Sequence, residues 1–250
     1  MTEIAKYNLN NYNVYVNLAN GKYMANTLPA ILYPINGIGN IYITGNSAYP
    51  EMVEIKSNNG SCVSASPGGG GAYALTGVTL EAPTWRDNDT GYNLSIGDGR
   101  IVLSNVAFGN GSYAHIGVGS GGRVDISDRH IINYGCNGTF SPGSNTPGGG
   151  VAGHIMVYGG GLVVTSVGDT YPDTTGSAKI EITRPISTLG IFLTVYNGEV
   201  VWQPISVSGL ANVTSTTKYS VTMNGILNAR GNAATWIPGD SPGVTSTGGQ

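Results

Sequence analysis

Charge is what this chain has least of. Only 10% of its 250 residues are Asp, Glu, Lys or Arg, whereas an ordinary soluble domain carries about 25%. Helix surfaces draw on Glu, Lys and Arg, so a mainly helical fold is excluded. The formal net charge is -3, which leaves no basic footprint for nucleic acid. No run of 18 apolar residues is present, so no segment reads as a membrane-spanning helix, and no membrane insertion is expected. The opening residues MTEIAKYNLNNYNVYVN have neither a basic region nor an apolar core, so no secretory signal peptide is read there. Cysteine is scarce too. Cys62 and Cys136 stand far apart in apolar surroundings, so two buried free thiols are expected rather than a disulfide framework. There is no P-loop Lys, no G-x-S-x-G elbow and no C-x-x-C pair. No cofactor is expected.

What the chain does contain is 40 Gly and 15 Tyr, set among Asn, Thr, Ser, Val and Ile, the vocabulary of strands and turns. One pattern recurs. HIGVGSGGRVDI from His115, HIMVYGGGLVVT from His154 and FLTVYNGEVVWQ from Phe192 each place a short apolar run on either side of a glycine turn. Aligned on Gly60, Gly99, Gly121, Gly160, Gly198 and Gly225, the four middle copies carry Leu94, Ile116, Ile155 and Leu193 five places before the glycine. They carry Ile96, Val118, Val157 and Val195 three places before it, and Val102, Val124, Val163 and Val201 three places after it. The two outer copies follow the pattern partly.

Apolar residues two apart indicate strands with one buried face. A third apolar segment, such as SNVAF or AKIEIT, follows each pair, so each unit offers three short strands. The longer units add Gly/Pro/Asn/Asp loops near Pro67, Asp87, Pro142 and Pro172. Strands too short for a core of their own, repeated at this period, predict a solenoid. No leucine-rich pattern and no four-stranded blade signature is present. The expected fold is therefore all-β: a right-handed parallel β-helix, a three-faced solenoid of about six coils, with irregular surface loops and a capping C-terminal tail. Its expected limits are 1–36 for an N-terminal strand and cap, 37–230 for the β-helix and 231–250 for the tail.

Three stretches carry a family resemblance: NYNVYVNLANGKY from Asn11, GIGNIYITGNSAYPEMVEI from Gly37, and TKYSVTMNGILNARGNAATWIPGDSPGVTSTGGQ from Thr217. With the repeats between them, the chain resembles the pectin-lyase-like right-handed β-helix tail fibre and tail spike proteins of tailed phages and prophages. The family's long amino-terminal virion-anchoring part is absent from these residues. The resemblance implies a trimeric rod on a phage tail, a virion protein assembled in the host cytoplasm beside other tail proteins, that adsorbs to a host cell-surface polysaccharide. Two alternatives stand beside it: a polysaccharide depolymerase, lyase or glycosidase, acting on capsule or lipopolysaccharide, and a non-phage surface adhesin or spacer.

A glycosidase needs two carboxylates, about 5–5.5 Å or about 6.5–9.5 Å apart. No two acidic residues share an offset on neighbouring copies. Asp125 and Asp128, flanked by Arg123, Arg129 and His130, form the nearest cluster, with Glu181 as a further candidate. The spacing of Asp169 and Asp173 matches no calcium-binding loop, and no metal site is assigned. For glycan binding, Tyr158 and Tyr196 each stand two places before their glycines, and His115 and His154 six places before theirs. Alternation with the inward positions sends both pairs outward, as short ladders about 4.8 Å apart. Tyr faces suit the apolar side of a pyranose. Tyr158, Tyr196, His154 and Trp202 are thus the glycan-binding candidates, although Trp202, flanked by Val200 and Val201, reads equally well as facing in or out. Trp236 is expected to cover the last coil.

The uncharged flanks and the resemblance together point to a homotrimer. Light scattering on the purified chain at micromolar concentration should report three copies; a clean monomer counts against that assembly for these 250 residues.

Overall fold

The computed structural model describes residues 8–25, 30–32, 35–58, 60–65, 71–83, 92–111, 113–119, 121–133, 153–164, 179–187, 191–202, 205–214, 216–229, 237–246 and 248–250. Cys136, Trp85, Trp236, Asp169 and Asp173 lie outside them. The described chain contains no α-helix, only two short 3-10 turns, Pro50–Met52 and Leu210–Asn212.

Nearly every strand joins one of three long parallel sheets of eight, seven and eight strands. The chain visits the three in rotation. The fourth coil is typical: Gly99–Ser104 in the first sheet, Val106–Gly111 in the second, Ala114–Val118 in the third. The fifth follows with Gly122–Ile126, Arg129–Ile132 and Gly153–Tyr158, and the sixth with Gly161–Val164, Lys179–Ile182 and Ile191–Tyr196. This is the three-faced parallel β-helix. Seven coils are complete among the described residues, one more than the glycine anchors counted, because Val14–Asn17, Gly21–Ala25 and Ala30–Leu32 already form a coil ahead of them.

The apolar pattern becomes columns. Leu94, Ile116, Ile155 and Leu193 are successive in-register partners, and so are Ile96, Val118, Val157 and Val195. All eight are at most 1% exposed, within one continuous apolar core that also holds Tyr73, Phe108, Phe192 and Trp202. The outer copies slip. Val63 and Ala65, not Ile55 and Ser57, continue these columns upward. Below, Tyr219 rather than Ser220 partners Leu193, since the turn after it holds two left-handed residues, Met223 and Asn224. After the glycine turns, Val102 pairs with Asp125 and Ile101 with Val124, because the turn before Gly99 is one residue shorter than the turn before Gly122.

The corners explain the glycines. Gly77, at the first-to-second corner, has φ +63°, and a Cβ there would lie 2.6 Å from the Asn46 backbone. One coil later the same corner is Asn105, also left-handed at φ 52°, a residue that tolerates this region. The lower end is closed by residues 237–250. Thr216 N–H donates to Asp240 Oδ1 at 2.8 Å, Val244–Thr245 pairs with the last third-sheet strand, and Ile237 is fully buried. The PGD segment thus serves as an end cap.

Gly160 and Gly161 make a test of close coil contact. A Cβ on Gly160 would press into the carbonyl oxygens of Gly119 and Gly122, whereas one on Gly161 meets nothing nearer than Glu199 O at 4.0 Å. Gly160→Ala should therefore lower unfolding stability by roughly 1–3 kcal/mol in urea titrations, and Gly161→Ala by much less. Equal losses would contradict this packing.

Candidate functional site

The outer face of the third sheet carries the tyrosines. Tyr158 and Tyr196 are in-register partners, with ring centroids 6.0 Å apart and planes tilted by 49°. Tyr196 is 40% exposed, and Tyr158 is half-buried against Tyr92, Tyr113 and Ala114. Tyr113 meets Tyr92 edge-on at 5.6 Å. The bare backbone of Gly117 makes room for the Tyr92 ring, which a Cβ would approach to 2.7 Å. Burial, then the neighbouring Tyr113 and Tyr92, pushes the Tyr158 hydroxyl far up from its ordinary range, so it stays a neutral hydrogen-bonding group. The expected tyrosine ladder is present, tilted rather than flat.

A second ladder had not been expected. Tyr15 and Tyr42 are in-register partners on the outer face of the first sheet, stacked at 4.9 Å with planes only 10° apart. Tyr15 is 66% exposed. The signal was in the sequence: NVYVN and NIYIT both flank a Tyr with inward aliphatics. No anchor glycine follows either at the repeat spacing, so a pattern tied to glycines passes over them.

Two glycan-binding candidates are corrected. His154 is 1% exposed and points into the core, as does His115. Strict alternation fails here: Phe108 of the second sheet packs on both rings inside the solenoid, while Ala114 and Gly117 of the same strand are covered from outside by the Tyr92 cluster. Trp202 is also inside, 1% exposed and edge-on to Phe192 at 6.4 Å. Val200 sets its phase two residues earlier.

The acidic candidates are each held by partners of their own. Asp125 stands on the outer face of the first sheet yet is fully buried, with Arg100 donating to Oδ2 and Arg123 to Oδ1, the latter at 2.8 Å. Asp128 lies past the end of that strand, where Ser104 Oγ donates to it at 3.3 Å. Glu181 is on the second sheet, bound by Arg129 at 2.6 Å and Lys179 at 3.0 Å. The Arg129 hydrogen bond, helped by Lys179 and opposed by burial, holds its carboxyl below the usual range. A carboxylate shifted that way is a poor proton donor near neutral pH.

Charge gathers on the outer face of the second sheet. Lys22 pairs with Glu54 at 3.0 Å and Lys56 with Glu81 at 2.9 Å, one coil to the next. Glu51, Glu54, Glu81, Arg129 and Arg184 line a groove of about 480 Å³ there. Gly109 lies under Glu81, 3.2 Å from its side chain for any added Cβ. Sequence reading missed this groove because its strands carry no anchor glycine. Cys62 is buried and free, donates to Ile55 O at 3.0 Å, and has its thiol pushed up to about 12 by burial, which makes it inert near neutral pH. Among the described residues no His, Cys, Asp or Glu group is arranged to hold a metal ion.

No protein family, no curated protein and no solved structure matches this chain.

The two arginines on Asp125 are expected to act together. Losing either leaves the other in place and costs roughly 1 kcal/mol, since both are partly exposed. Losing both strands a buried carboxylate and should cost about 3 kcal/mol or more. Urea unfolding of Arg100→Met, Arg123→Met and the double variant should thus be non-additive; simple additivity refutes the shared role.

Proposed function

We propose that this chain is a rod domain that adsorbs to a cell-surface glycan without cleaving it, in the manner of a phage tail fibre or spike. The observation that carries the reading is the pair of tyrosine ladders on the outer faces of the solenoid. In each pair one ring is exposed, Tyr15 at 66% and Tyr196 at 40%, and the other, Tyr42 or Tyr158, lies half-buried beside it at a repeat set by the coils. Stacked rings of this kind fit the apolar faces of successive sugars, and amide and hydroxyl groups around them fit sugar hydroxyls. The phage setting rests on the resemblance of the terminal stretches, and with it the homotrimer and the partnership with other tail proteins.

The depolymerase reading finds less support. Asp125 and Glu181 are each committed to two cations. Glu54 and Glu81, in the second-sheet groove, are each paired with a lysine. None of these stands free as the second carboxylate that glycoside hydrolysis requires.

Adsorption of the purified chain to host cells, or to their extracted capsule or lipopolysaccharide, tests this directly. Tyr196→Ala and Tyr15→Ala should each weaken binding up to about tenfold, corresponding to roughly 0.5–1.5 kcal/mol per lost ring, with the unfolding midpoint little changed. No new reducing ends and no loss of viscosity should accompany binding. Unaltered adsorption by both variants would overturn the tyrosine assignment. Cleavage would overturn the non-catalytic reading, and the carboxylates of the second-sheet groove would then be substituted first.

A further inference from the structure

The chain has three histidines in all, and the fold brings every one of them to the same place inside the solenoid. His115 lies on Ala114–Val118, His154 on the next strand of that sheet, and His130 on Arg129–Ile132 across the interior. Each is at most 1% exposed. His154 is the middle member: its Nδ1 meets Nδ1 of His115, and its Nε2 lies 2.8 Å from Nε2 of His130. Phe108 packs on all three rings, with centroids 4.7 to 5.9 Å away, and Phe192 covers His154 at 4.8 Å.

A neutral imidazole has one donor and one acceptor nitrogen, so three neutral rings form one hydrogen-bonded chain with two free ends. Those ends, His115 Nε2 and His130 Nδ1, are buried with no well-formed hydrogen bond. One added proton on His154 could still be shared between its neighbours, but a second would set donor against donor. Even the first has no counter-ion among the described residues. The strands Val106–Gly111, Ala114–Val118, Gly153–Tyr158 and Ile191–Tyr196 carry no Asp, Glu, Lys or Arg. Arg129, Lys179 and Glu181, on the two second-sheet strands nearby, pair with one another on the outer face. Among the described residues, the only titratable groups that act on any of the three rings are the other rings.

We infer that the histidine cluster is an acid-sensitive seam that holds the fourth to sixth coils closed at neutral pH and releases them as the medium becomes mildly acidic. Burial lowers His115 and His130 to about 3, opposed at His115 only by the nearby Gly109 backbone. It lowers His154 well below its ordinary value, and the like-charged neighbours add to the effect on His130 and His154. The unfolded rings take up protons near pH 6.5. The folded state therefore has its full advantage above about 6.5 and loses it as pH falls below that value. No other side-chain type has an ordinary pKa between 5 and 8, so this window isolates the cluster. Paired carboxylates such as Glu181 enter only at lower pH.

The test is urea unfolding of the full chain from pH 7.5 to 5.5. With three rings neutral in the fold and free to protonate when unfolded, the unfolding constant should rise about a thousandfold across that range. The triple variant His115→Leu, His130→Leu, His154→Leu should lose most of that dependence. Should the variant fail to fold, nitrogen-resolved NMR of the imidazoles in the unaltered chain decides the matter. All three must remain neutral in the native state down to pH 5.5, with hydrogen exchange accelerating in Ala114–Val118 and Gly153–Tyr158 before Ile41–Thr44. A flat stability profile, or a ring that protonates within the intact fold above pH 5.5, overturns the inference.

Discussion

Everything in this molecule depends on one coil lying in register on the next. A strand of three to six residues cannot bury its own inner face, and no α-helix is present among the described residues to cover it. Parallel pairing with the coil above and below supplies the missing contacts, and it turns each inward position into a column running the length of the solenoid. The turns obey this demand rather than setting it. Gly77 and Gly160 leave their neighbours' backbones room to approach, and Asn105 takes up the left-handed corner that Gly77 makes one coil earlier.

The same demand fixes how much could be read without a structure. Columns were legible because stacking forces the same residue class to recur: Ile116, Ile155 and Leu193 announce each other. Turn length was not. A turn with one residue fewer leaves the local apolar alternation intact while shifting its partner, which is how Val102 came to face Asp125. Side-chain direction was the second blind spot. His154 obeys alternation on paper but is enclosed by Phe108 and His130 arriving from a different sheet. Trp202 follows two consecutive valines, Val200 and Val201, whose phase only the neighbouring coil resolves. The candidate site was therefore half legible. Tyr158 and Tyr196 stand on the outer face, while the Tyr15 and Tyr42 ladder and the charged groove lie on strands that carry no anchor glycine.

Polar chemistry is sorted by face. The second sheet carries the ion-pair ladder from Lys22 to Glu181, and the third carries the larger group of tyrosines. The interior, which ought to be purely apolar, holds the three imidazoles. Each face repeats its own chemistry from coil to coil because register delivers like to like. A residue type chosen once along the period is displayed again one coil further on.

Register also decides how such a rod bears load. Its backbone hydrogen bonds run along the long axis, joining each coil to the next, so tension applied between the two ends falls on the ladders one after another instead of sharing itself among them. Among the described residues strand contacts are almost wholly between adjacent coils, so little beyond a neighbour resists separation. The rod would yield by peeling from an end, and the segment around Asp240 that ties down Thr216 is then its clasp. Sideways force meets the opposite situation: it must shear many in-register pairs together, so the rod is stiff across its width and gives way along its length.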